Sequence, residues 1–329
     1  MRVAVFSCKP YDKRTLSDCA HGTSLSLSFF ESRLSMETVK LVQDFDAVSC
    51  FVNDDINADV IASLKQQGVH VIALRCTGFN NVDLQAAKDQ DVQVFHVPDY
   101  SPTSVAEHAV ALIMTLNRKT HRAYHRVKEG NFALEGLMGF NLEGKTVGCV
   151  GTGRIGAAFC RIMKGFGCHV YCYDLYPSEA LIELGCEYVS LEDLYEKSDI
   201  ISLHCPLNQS THHLINQQTL AKMKDGVMII NTSRGALVHA QEAIDALYTG
   251  KIGFLGLDVY EQENEIFFED MSSHIIQDSV FQLMLTFPNV VVTGHQGYFT
   301  HEALSHIAAT TVDNLLHYRT KESQSRRLA

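Results

Sequence analysis

Short apolar runs alternate along the chain with longer segments of helical period, which predicts parallel strands joined by helices. The first series of strand-like runs covers residues 3–6, 47–52, 69–74 and 92–97. The second series covers residues 146–150, 169–173, 200–204, 227–231, 254–258 and 290–293. Because these runs are almost entirely apolar, we expect both faces of each sheet to be buried. The pattern therefore predicts an α/β fold with two doubly wound, Rossmann-like parallel sheets.

Segments of helical period lie between the strand-like runs, at residues 59–67, 83–90 and 155–166. A longer one, residues 104–125, separates the two series, and Ser104 with Glu107 predicts a capping box at its start. We expect it to be one helix that joins two domains. Residues 301–317 predict a terminal helix that returns to the first domain. At ~100–200 residues per domain, the 329 residues also indicate two domains, 1–100 plus 301–329 and 101–300.

Composition places the chain among globular proteins, with 46% apolar and 20% charged residues. The formal net charge of −11 argues against a general affinity for nucleic acid or anionic lipid. Arg326-Arg327 is the one basic cluster worth noting, and we expect a solvated tail there.

No apolar run approaches the ~18–20 residues of a membrane span, and the first residues lack the apolar region of a signal peptide. The ten cysteines contain no C-x-x-C pair, which predicts buried free thiols in a reducing compartment and neither disulfides nor a zinc site. We therefore expect a soluble cytoplasmic protein.

Two glycine motifs compete as phosphate-binding sites. Residues 139–146, GFNLEGKT, match the Walker A pattern literally, but they lead into a strand, whereas that mechanism needs a strand before the loop and a helix after it. We reject this motif. Residues 151–156, GTGRIG, follow the apolar run 146–150 and open a helical segment, as a dinucleotide-binding turn requires.

Asp174 ends the next strand-like run, where a carboxylate can accept hydrogen bonds from an adenosine ribose and repel a 2′-phosphate. No arginine follows it directly, so NAD is favoured over NADP. A βαβ unit whose glycine turn holds no ligand is the alternative.

Charged side chains follow three strands of the second series, at the edge where ligands of doubly wound sheets bind. Arg234 follows residues 227–231, His295 follows 290–293, and the carboxylates of Asp258, Glu261 and Glu263 lie at or after the end of 254–258. An arginine can bind a substrate carboxylate through two hydrogen bonds, and a histidine can donate the proton when a hydride reaches a carbonyl carbon. A neighbouring carboxylate stabilises the imidazolium. The set predicts reduction of a 2-oxo acid, without deciding between Glu261 and Glu263.

Other histidine patterns give weaker candidates. His301 and His306 are one residue too far apart for a zinc-protease motif, so they would lie on different helix faces. His121 and His125 share a face, but no third ligand is evident, and we expect an exposed helix. The sequence predicts no metal site.

Six stretches resemble the D-isomer-specific 2-hydroxyacid dehydrogenase family, and the resemblance spans nearly the whole chain. They are VPDYSPTSVAEHAVALIM, GKTVGCVGTGRIG, DIISLHCPL, MIINTSRGALV, GLDVYEQE and GHQGYFT. Within the family, IFFEDMSSHIIQD and LRCTGFNNVDL are most similar to the fermentative D-lactate dehydrogenases. The resemblance implies a substrate domain (1–100 plus 301–329), an NAD-binding domain (101–300) and a cleft between them that holds the site.

The resemblance also implies roles for individual residues. Arg234 corresponds to the residue that binds the substrate carboxylate, His295 to the acid/base, and Glu263, five residues after Asp258, to the glutamate that tunes it. The implied cofactor contacts are Gly151, Gly153, Arg154, Ile155, Gly156, Asp174, Cys205, Pro206, Thr211, Thr232, Ser233 and Asp258. The implied substrate contacts of the first domain are Thr77, Gly78 and Tyr100. Asn264 stands where many relatives have proline.

The implied activity is NAD-dependent, reversible reduction of pyruvate to D-lactate, with the D-stereochemistry given by the resemblance alone. Two alternatives stay open: an enzyme of the same fold for a bulkier 2-oxo acid such as phenylpyruvate, and a non-enzymatic NADH-sensing binding protein. The resemblance further implies a homodimer or a dimer of dimers.

Overall fold

The computed structural model describes residues 1–263, 266–320 and 325–329. These residues form two compact units, unit 1 with Met1–Ser101 and Phe299–Ala329, and unit 2 with Pro102–Tyr298. Each unit contains a parallel sheet with helices. The predicted fold class, two parallel-sheet α/β domains, is confirmed.

In the described part of unit 1, five parallel strands form one sheet in the order β2-β1-β3-β4-β5. The strands are β1 (Arg2–Val5), β2 (Ser26–Phe29), β3 (Ala47–Cys50), β4 (Val71–Leu74) and β5 (Gln93–Phe95). The helices are α1 (Pro10–Ala20), α2 (Ala58–Gln66), α3 (Leu84–Asp89) and α12 (His301–His317). The terminal helix α12 has its predicted bounds and packs against α1 and β4.

Two parts of this sheet differ from the sequence analysis. The strand β2 was not predicted, because its sequence SLSF is not a continuous apolar run. It lies at the sheet edge and has no fully buried side chain. The expectation of a solvated tail at Arg326-Arg327 is wrong. The Leu328 N–H donates to the Val94 carbonyl at 2.7 Å, and the His96 N–H donates to the Arg326 carbonyl at 3.1 Å. The last residues therefore pair with β5.

The described part of unit 2 contains seven parallel strands in the order β12-β11-β10-β9-β6-β7-β8. The strands are β6 (Thr146–Val150), β7 (His169–Tyr173), β8 (Glu187–Tyr188), β9 (Ile200–Leu203), β10 (Val227–Asn231), β11 (Ile252–Leu257) and β12 (Val290–Val292). The helices are α4 (Pro102–Arg118), α5 (Thr120–Lys128), α6 (Arg154–Gly165), α7 (Glu179–Glu183), α8 (Leu191–Lys197), α9 (Gln217–Ala221), α10 (Ala240–Tyr248) and α11 (Ser279–Thr286). The sequence predicted six of these strands and missed the two-residue β8.

Both faces of the second sheet are covered, as the apolar runs predicted. Along β10, Val227 and Ile229 belong to one hydrophobic cluster, whereas Met228 and Ile230 belong to another. Successive side chains of a strand point to opposite faces, so the two clusters lie on the two sides of the sheet. The charged candidate residues Arg234, Glu263 and His295 lie beyond the strand ends, in the loops.

The predicted single helix over residues 104–125 is wrong. Lys119 adopts a left-handed conformation with φ of 49° and separates α4 from α5. The buried Asn117 side chain exchanges two 2.8 Å hydrogen bonds with the backbone of Phe140, which draws that segment against the end of α4. The capping box at Ser104 is also wrong, because α4 begins two residues earlier at Pro102.

The described helices include none that is both long enough and apolar enough to cross a membrane. All ten cysteines lie among the described residues and are free, and nine of them are buried. The prediction of buried free thiols is confirmed.

Candidate active site

The glycine turn, residues 151–156, connects β6 to α6 and has little room for other side chains. Gly151 has φ of +92°, and a Cβ there would lie 2.6 Å from the Cys205 nitrogen. A Cβ on Gly156 would lie 2.0 Å from the Gly151 oxygen. At Gly153 a Cβ would meet no described atom within 4 Å, so that side of the turn is open. The helix starts at Arg154, directly beyond the opening, and its N-terminal dipole favours an anion there.

Asp174 follows β7, the neighbour of β6, and its carboxylate is held by the glycine turn. The Thr152 N–H and hydroxyl donate to Oδ2 at 2.6 and 3.1 Å, and the Tyr176 N–H donates to Oδ1 at 2.9 Å. Burial acts to raise the pKa of Asp174, but the hydrogen bonds from Thr152 and Tyr176 lower it below its usual value. The carboxylate is thus ionised and positioned, as contact with a ribose diol requires.

Five further predicted cofactor contacts, Cys205, Pro206, Thr211, Thr232 and Ser233, follow β9 and β10, which extend the sheet beyond β6. The Ser233 hydroxyl donates to the Cys205 carbonyl at 2.7 Å and joins the two loops. The Thr211 hydroxyl donates to the Pro206 carbonyl at 2.7 Å. Thr232 Oγ1 is buried and has no hydrogen-bond partner among the described residues. A polar cofactor group at this point would satisfy the hydroxyl, so the residues fit a dinucleotide.

His295 and Glu263, two of the predicted catalytic residues, are in direct contact. Nδ1 of His295 lies 2.9 Å from Oε1 of Glu263. The second carboxylate oxygen, Oε2, accepts the Tyr260 N–H at 2.9 Å, which fixes the side chain. Because Nδ1 is occupied, Nε2 is the ring nitrogen left for a substrate. The neighbouring Glu261 instead contacts Nε2 of His213 at 2.7 Å, so the geometry distinguishes the two glutamates that the strand-end argument left open.

The loop that carries His295 is anchored by Asp258. His295 has φ of 55°, and its N–H donates to the Asp258 carbonyl at 2.8 Å. The Asp258 carboxylate accepts from the Gln296 N–H at 2.8 Å, the Gly297 N–H at 2.7 Å and the Thr293 hydroxyl at 2.5 Å. We call residues 293–297 the histidine loop. A cofactor contact through Asp258 stays a prediction.

Asp258 is 1% exposed, and these donors, together with Nε2 of His108 at 3.2 Å, stabilise its carboxylate. Burial acts to raise the pKa of Asp258, but the hydrogen bonds from His108, Thr293 and Gln296 lower it. His108 was not predicted from the sequence, since a histidine on α4 gives no local sign of a partner beyond β11. Its place on a helix face otherwise occupied by Val105, Ala109 and Leu112 was the available signal.

Arg234 follows β10 in a loop that packs against the loop leading to Glu263. A Cβ on Gly235 would lie 2.1 Å from the Tyr260 carbonyl carbon, so only glycine allows this approach. The Asn231 side chain donates to the Arg234 carbonyl at 2.8 Å and closes the turn. Arg234 Nη1 donates to the Ser233 carbonyl at 2.7 Å. The backbone thus brings the arginine loop and the glutamate loop into contact.

The predicted substrate contacts Thr77, Gly78 and Tyr100 belong to unit 1, where they follow β4 and β5. The Thr77 hydroxyl donates to the Val97 carbonyl at 2.8 Å, which joins the two loops. The Tyr100 carbonyl lies 3.1 Å from Nδ1 of His306 on α12. Asn264 lies outside the described residues.

Comparisons with known proteins agree with this arrangement. Residues 110–297 match the model of the D-isomer specific 2-hydroxyacid dehydrogenase, NAD binding domain. D-lactate dehydrogenase of Escherichia coli (strain K12) is 52% identical over 315 residues, 96% of each chain. The apo-structure of D-lactate dehydrogenase from Escherichia coli gives a TM-score of 0.92 at 48% identity and covers 100% of both chains. D-lactate dehydrogenase from Aquifex aeolicus, complexed with NAD and lactic acid, gives 0.86 at 33% identity over 98% of this chain and 97% of that one.

Proposed function

Since this chain belongs to the D-isomer specific 2-hydroxyacid dehydrogenase family, we infer that it is an NAD-dependent D-lactate dehydrogenase, which interconverts pyruvate and D-lactate. The observation that carries the inference is the 2.9 Å contact of His295 with Glu263, in loops that follow strands of the same parallel sheet as the dinucleotide-type glycine turn. An acid/base pair at this edge suits carbonyl reduction, in which a hydride and a proton reach neighbouring atoms.

His295 moves the proton. In the reductive direction the imidazolium donates from Nε2 to the carbonyl oxygen of pyruvate, and in the oxidative direction the neutral ring accepts the hydroxyl proton. Glu263 holds Nδ1, orients the ring and stabilises the charged form during both steps. NADH, when bound, supplies the hydride that goes to the carbonyl carbon.

Arg234 binds the substrate carboxylate, because a guanidinium offers two parallel N–H donors to the two carboxylate oxygens. The two hydrogen bonds also orient the neighbouring carbonyl for the reaction. Thr77, Gly78 and Tyr100 are the further substrate contacts that we propose from the family resemblance.

The cofactor is NAD, and we assign different residues of this chain to its pyrophosphate and to its adenosine ribose. We assign the pyrophosphate to the open side of Gly153 and the N-terminus of α6, and the adenosine ribose to Asp174. The unpaired buried hydroxyl of Thr232, directly after β10, would hydrogen-bond a polar group of the bound cofactor. The adjacent loops contain the other cofactor contacts that we propose, Cys205, Pro206, Thr211 and Ser233.

The test is a steady-state assay of the purified chain with NADH and pyruvate, repeated with NAD and each enantiomer of lactate. We expect oxidation of D-lactate and not of L-lactate. A panel that includes phenylpyruvate distinguishes lactate chemistry from a preference for bulkier 2-oxo acids. If NADH binds but no 2-oxo acid is reduced, the chain is a binding protein and the inferred activity is wrong.

We further propose that the protein acts in the cytoplasm as a homodimer or a dimer of dimers, as the family resemblance implies. Cell fractionation and light scattering of the purified protein test these two points independently of activity.

A further inference from the structure

Three buried cysteines converge behind the glycine turn, and the proposed reaction uses none of them. Cys160 lies on α6, Cys172 on β7, and Cys186 just before β8. We call them the thiol cluster. Their sulfur atoms all lie within 4.8 Å of one another, and Sγ of Cys160 is 3.7 Å from Sγ of Cys172. The three residues are 0%, 0% and 3% exposed.

These separations suit metal–thiolate bonds. Two thiolates bound at about 2.3 Å to one metal ion lie about 3.8 Å apart in a tetrahedral site and about 4.0 Å apart in a trigonal one. A disulfide, by contrast, needs sulfur atoms about 2.05 Å apart and uses only two of them. Convergence of three sulfurs from three different elements therefore points to an ion rather than to a covalent pair.

We propose that Cys160, Cys172 and Cys186 form a binding site for a thiophilic metal ion, with Zn²⁺ and Cu⁺ as the candidate cations. Soft thiolate ligands select these ions over Mg²⁺, Ca²⁺ or Mn²⁺. Each thiol that binds releases its proton to the solvent and forms one metal–sulfur bond, so the step requires no oxidant or reductant.

The charge of such a site has a nearby counterion. A Zn²⁺ ion with three thiolates carries a net charge of −1, and a buried charge needs a partner. The Lys164 ammonium donates to the carbonyl of Gly185, directly before Cys186, at 3.0 Å. The ammonium is therefore held at the edge of the cluster.

A further sulfur lies on the side of the cluster that faces the glycine turn. The Cys149 thiol donates to the Gly151 carbonyl at 3.3 Å, and Cys149 belongs to the same hydrophobic cluster as the three cysteines. Three sulfurs complete a trigonal Cu⁺ site, whereas Zn²⁺ takes four ligands and would draw on Cys149 or on water. The experiment below distinguishes which of the two ions binds.

Another possible ligand set lies elsewhere in unit 2 and has different chemistry. His212, His213 and Glu261 place nitrogen and oxygen atoms within 4.8 Å of one another on a more exposed surface. Metal bound there would have no sulfur ligand, so spectroscopy distinguishes it from metal in the thiol cluster.

The consequence of binding is mechanical. A metal ion would tie α6 to β7 and to the segment before β8, which pack together through apolar contacts and the hydrogen bond from Lys164 to Gly185. We expect resistance to unfolding to rise with metal, with no change in the chemistry of hydride transfer.

The experiment uses the full chain, reduced with a phosphine so that no added thiol competes for metal. Separate samples receive Zn²⁺, Cu⁺ under anaerobic conditions, or Cd²⁺ as a spectroscopic probe, and are then desalted. Elemental analysis gives the ions bound per chain. The ultraviolet thiolate-to-Cd²⁺ charge-transfer band reports sulfur ligation, and urea unfolding reports stability.

The decisive comparison is between Cys186→Ala and Cys168→Ala. Both residues are 3% exposed and belong to the same hydrophobic cluster, but the Cys168 thiol donates to the Leu142 carbonyl and lies outside the thiol cluster. We expect about one ion per chain and the charge-transfer band in the unchanged protein and in Cys168→Ala, with at least about tenfold less of both in Cys186→Ala.

Three outcomes would overturn the proposal. One is binding of less than about a tenth of an ion by the unchanged, folded protein. Another is bound Cd²⁺ without the charge-transfer band, which would indicate the histidine set. The third is equal retention, or equal loss, in the two variants, because metal would then not depend on the clustered sulfur. Whichever of Zn²⁺ and Cu⁺ is retained after desalting is the ion that the site binds.

Discussion

Nε2 of His108 lies 3.2 Å from Oδ1 of Asp258, although one residue is on α4 and the other follows β11. Thr293 completes the contact, since its hydroxyl donates to Asp258 and lies 2.9 Å from the same His108 nitrogen. The histidine loop begins at this threonine and ends at Gly297, which also donates to Asp258. One buried carboxylate therefore holds both ends of the loop that presents His295.

Asp258→Asn should weaken the dependence of the unfolding free energy on pH. Because the folded pKa of Asp258 lies below its ordinary value of about 3.9, the carboxylate stabilises the fold above about pH 4 and loses that contribution as the pH falls through the folded pKa. Urea unfolding between about pH 3 and 7 should show a steeper acid loss of unfolding free energy in the unchanged protein than in the variant. Asp225→Asn, at an exposed carboxylate, is the control; identical acid slopes for all three would contradict the expectation.

His295→Gln should lower the rate of pyruvate reduction by ~10²–10⁴-fold, the usual contribution of a positioned acid. Glutamine can fill the space but cannot deliver a proton, so NADH binding, followed by fluorescence, should persist. His301→Gln, at an exposed position on α12, should leave turnover unchanged. Turnover near that of the control would exclude His295 as the acid.

Glu263→Gln tests the partner of the histidine. Loss of a charged hydrogen bond is worth about 1.5–3 kcal/mol, so kcat should fall ~10–10²-fold. Glu261→Gln is a matched control two residues away, where the carboxylate contacts His213 instead. Should the two variants lose activity equally, the distinction between the glutamates is wrong.

Arg234→Gln should act on substrate capture. A neutral amide loses the two charge-assisted hydrogen bonds to the pyruvate carboxylate, so kcat/KM for pyruvate should fall by ~10²-fold or more while NADH affinity is kept. Arg234→Lys should recover only part of this, because an ammonium does not offer the paired geometry. Arg161→Gln, on the exposed side of α6, is the control, and an unchanged pyruvate response in Arg234→Gln would refute the role.

Asp174→Ala should erode the preference for NAD over NADP. The carboxylate that repels a 2′-phosphate disappears, so the ratio of kcat/KM values should shift toward NADP by about tenfold or more. The exposed Asp193→Ala is the control. If selectivity does not move, the ribose contact lies elsewhere.

Local patterns were sufficient to predict most of the fold. β6, β7, β10 and α12 have their predicted bounds, because continuous apolar runs and a clear helical period leave little choice. The break at Lys119 and the edge strand β2 were not predictable in the same way, since each depends on a distant segment. Phe140 hydrogen-bonds with Asn117 next to the break, and β1 pairs with β2.

For the candidate site, strand-end logic found Arg234 and His295, but only the resemblance distinguished Glu263 from Glu261. Two residues of spacing carry no information about which carboxylate turns toward a histidine. That choice is made by the Tyr260 N–H, which holds Oε2 of Glu263, and by His213, which binds Glu261. His108 likewise acquires its role from Asp258 and Thr293, which lie too far along the chain to appear in any short stretch of sequence around it.

The near-contact of Gly235 with the Tyr260 carbonyl carbon constrains how this protein can be re-engineered. Any larger residue there would push the segment bearing the guanidinium away from the segment bearing the glutamate, so two loops that look independent in sequence cannot be redesigned one at a time. A combinatorial library that randomises residues 233–237 for a new substrate range should return glycine at 235 in every active clone.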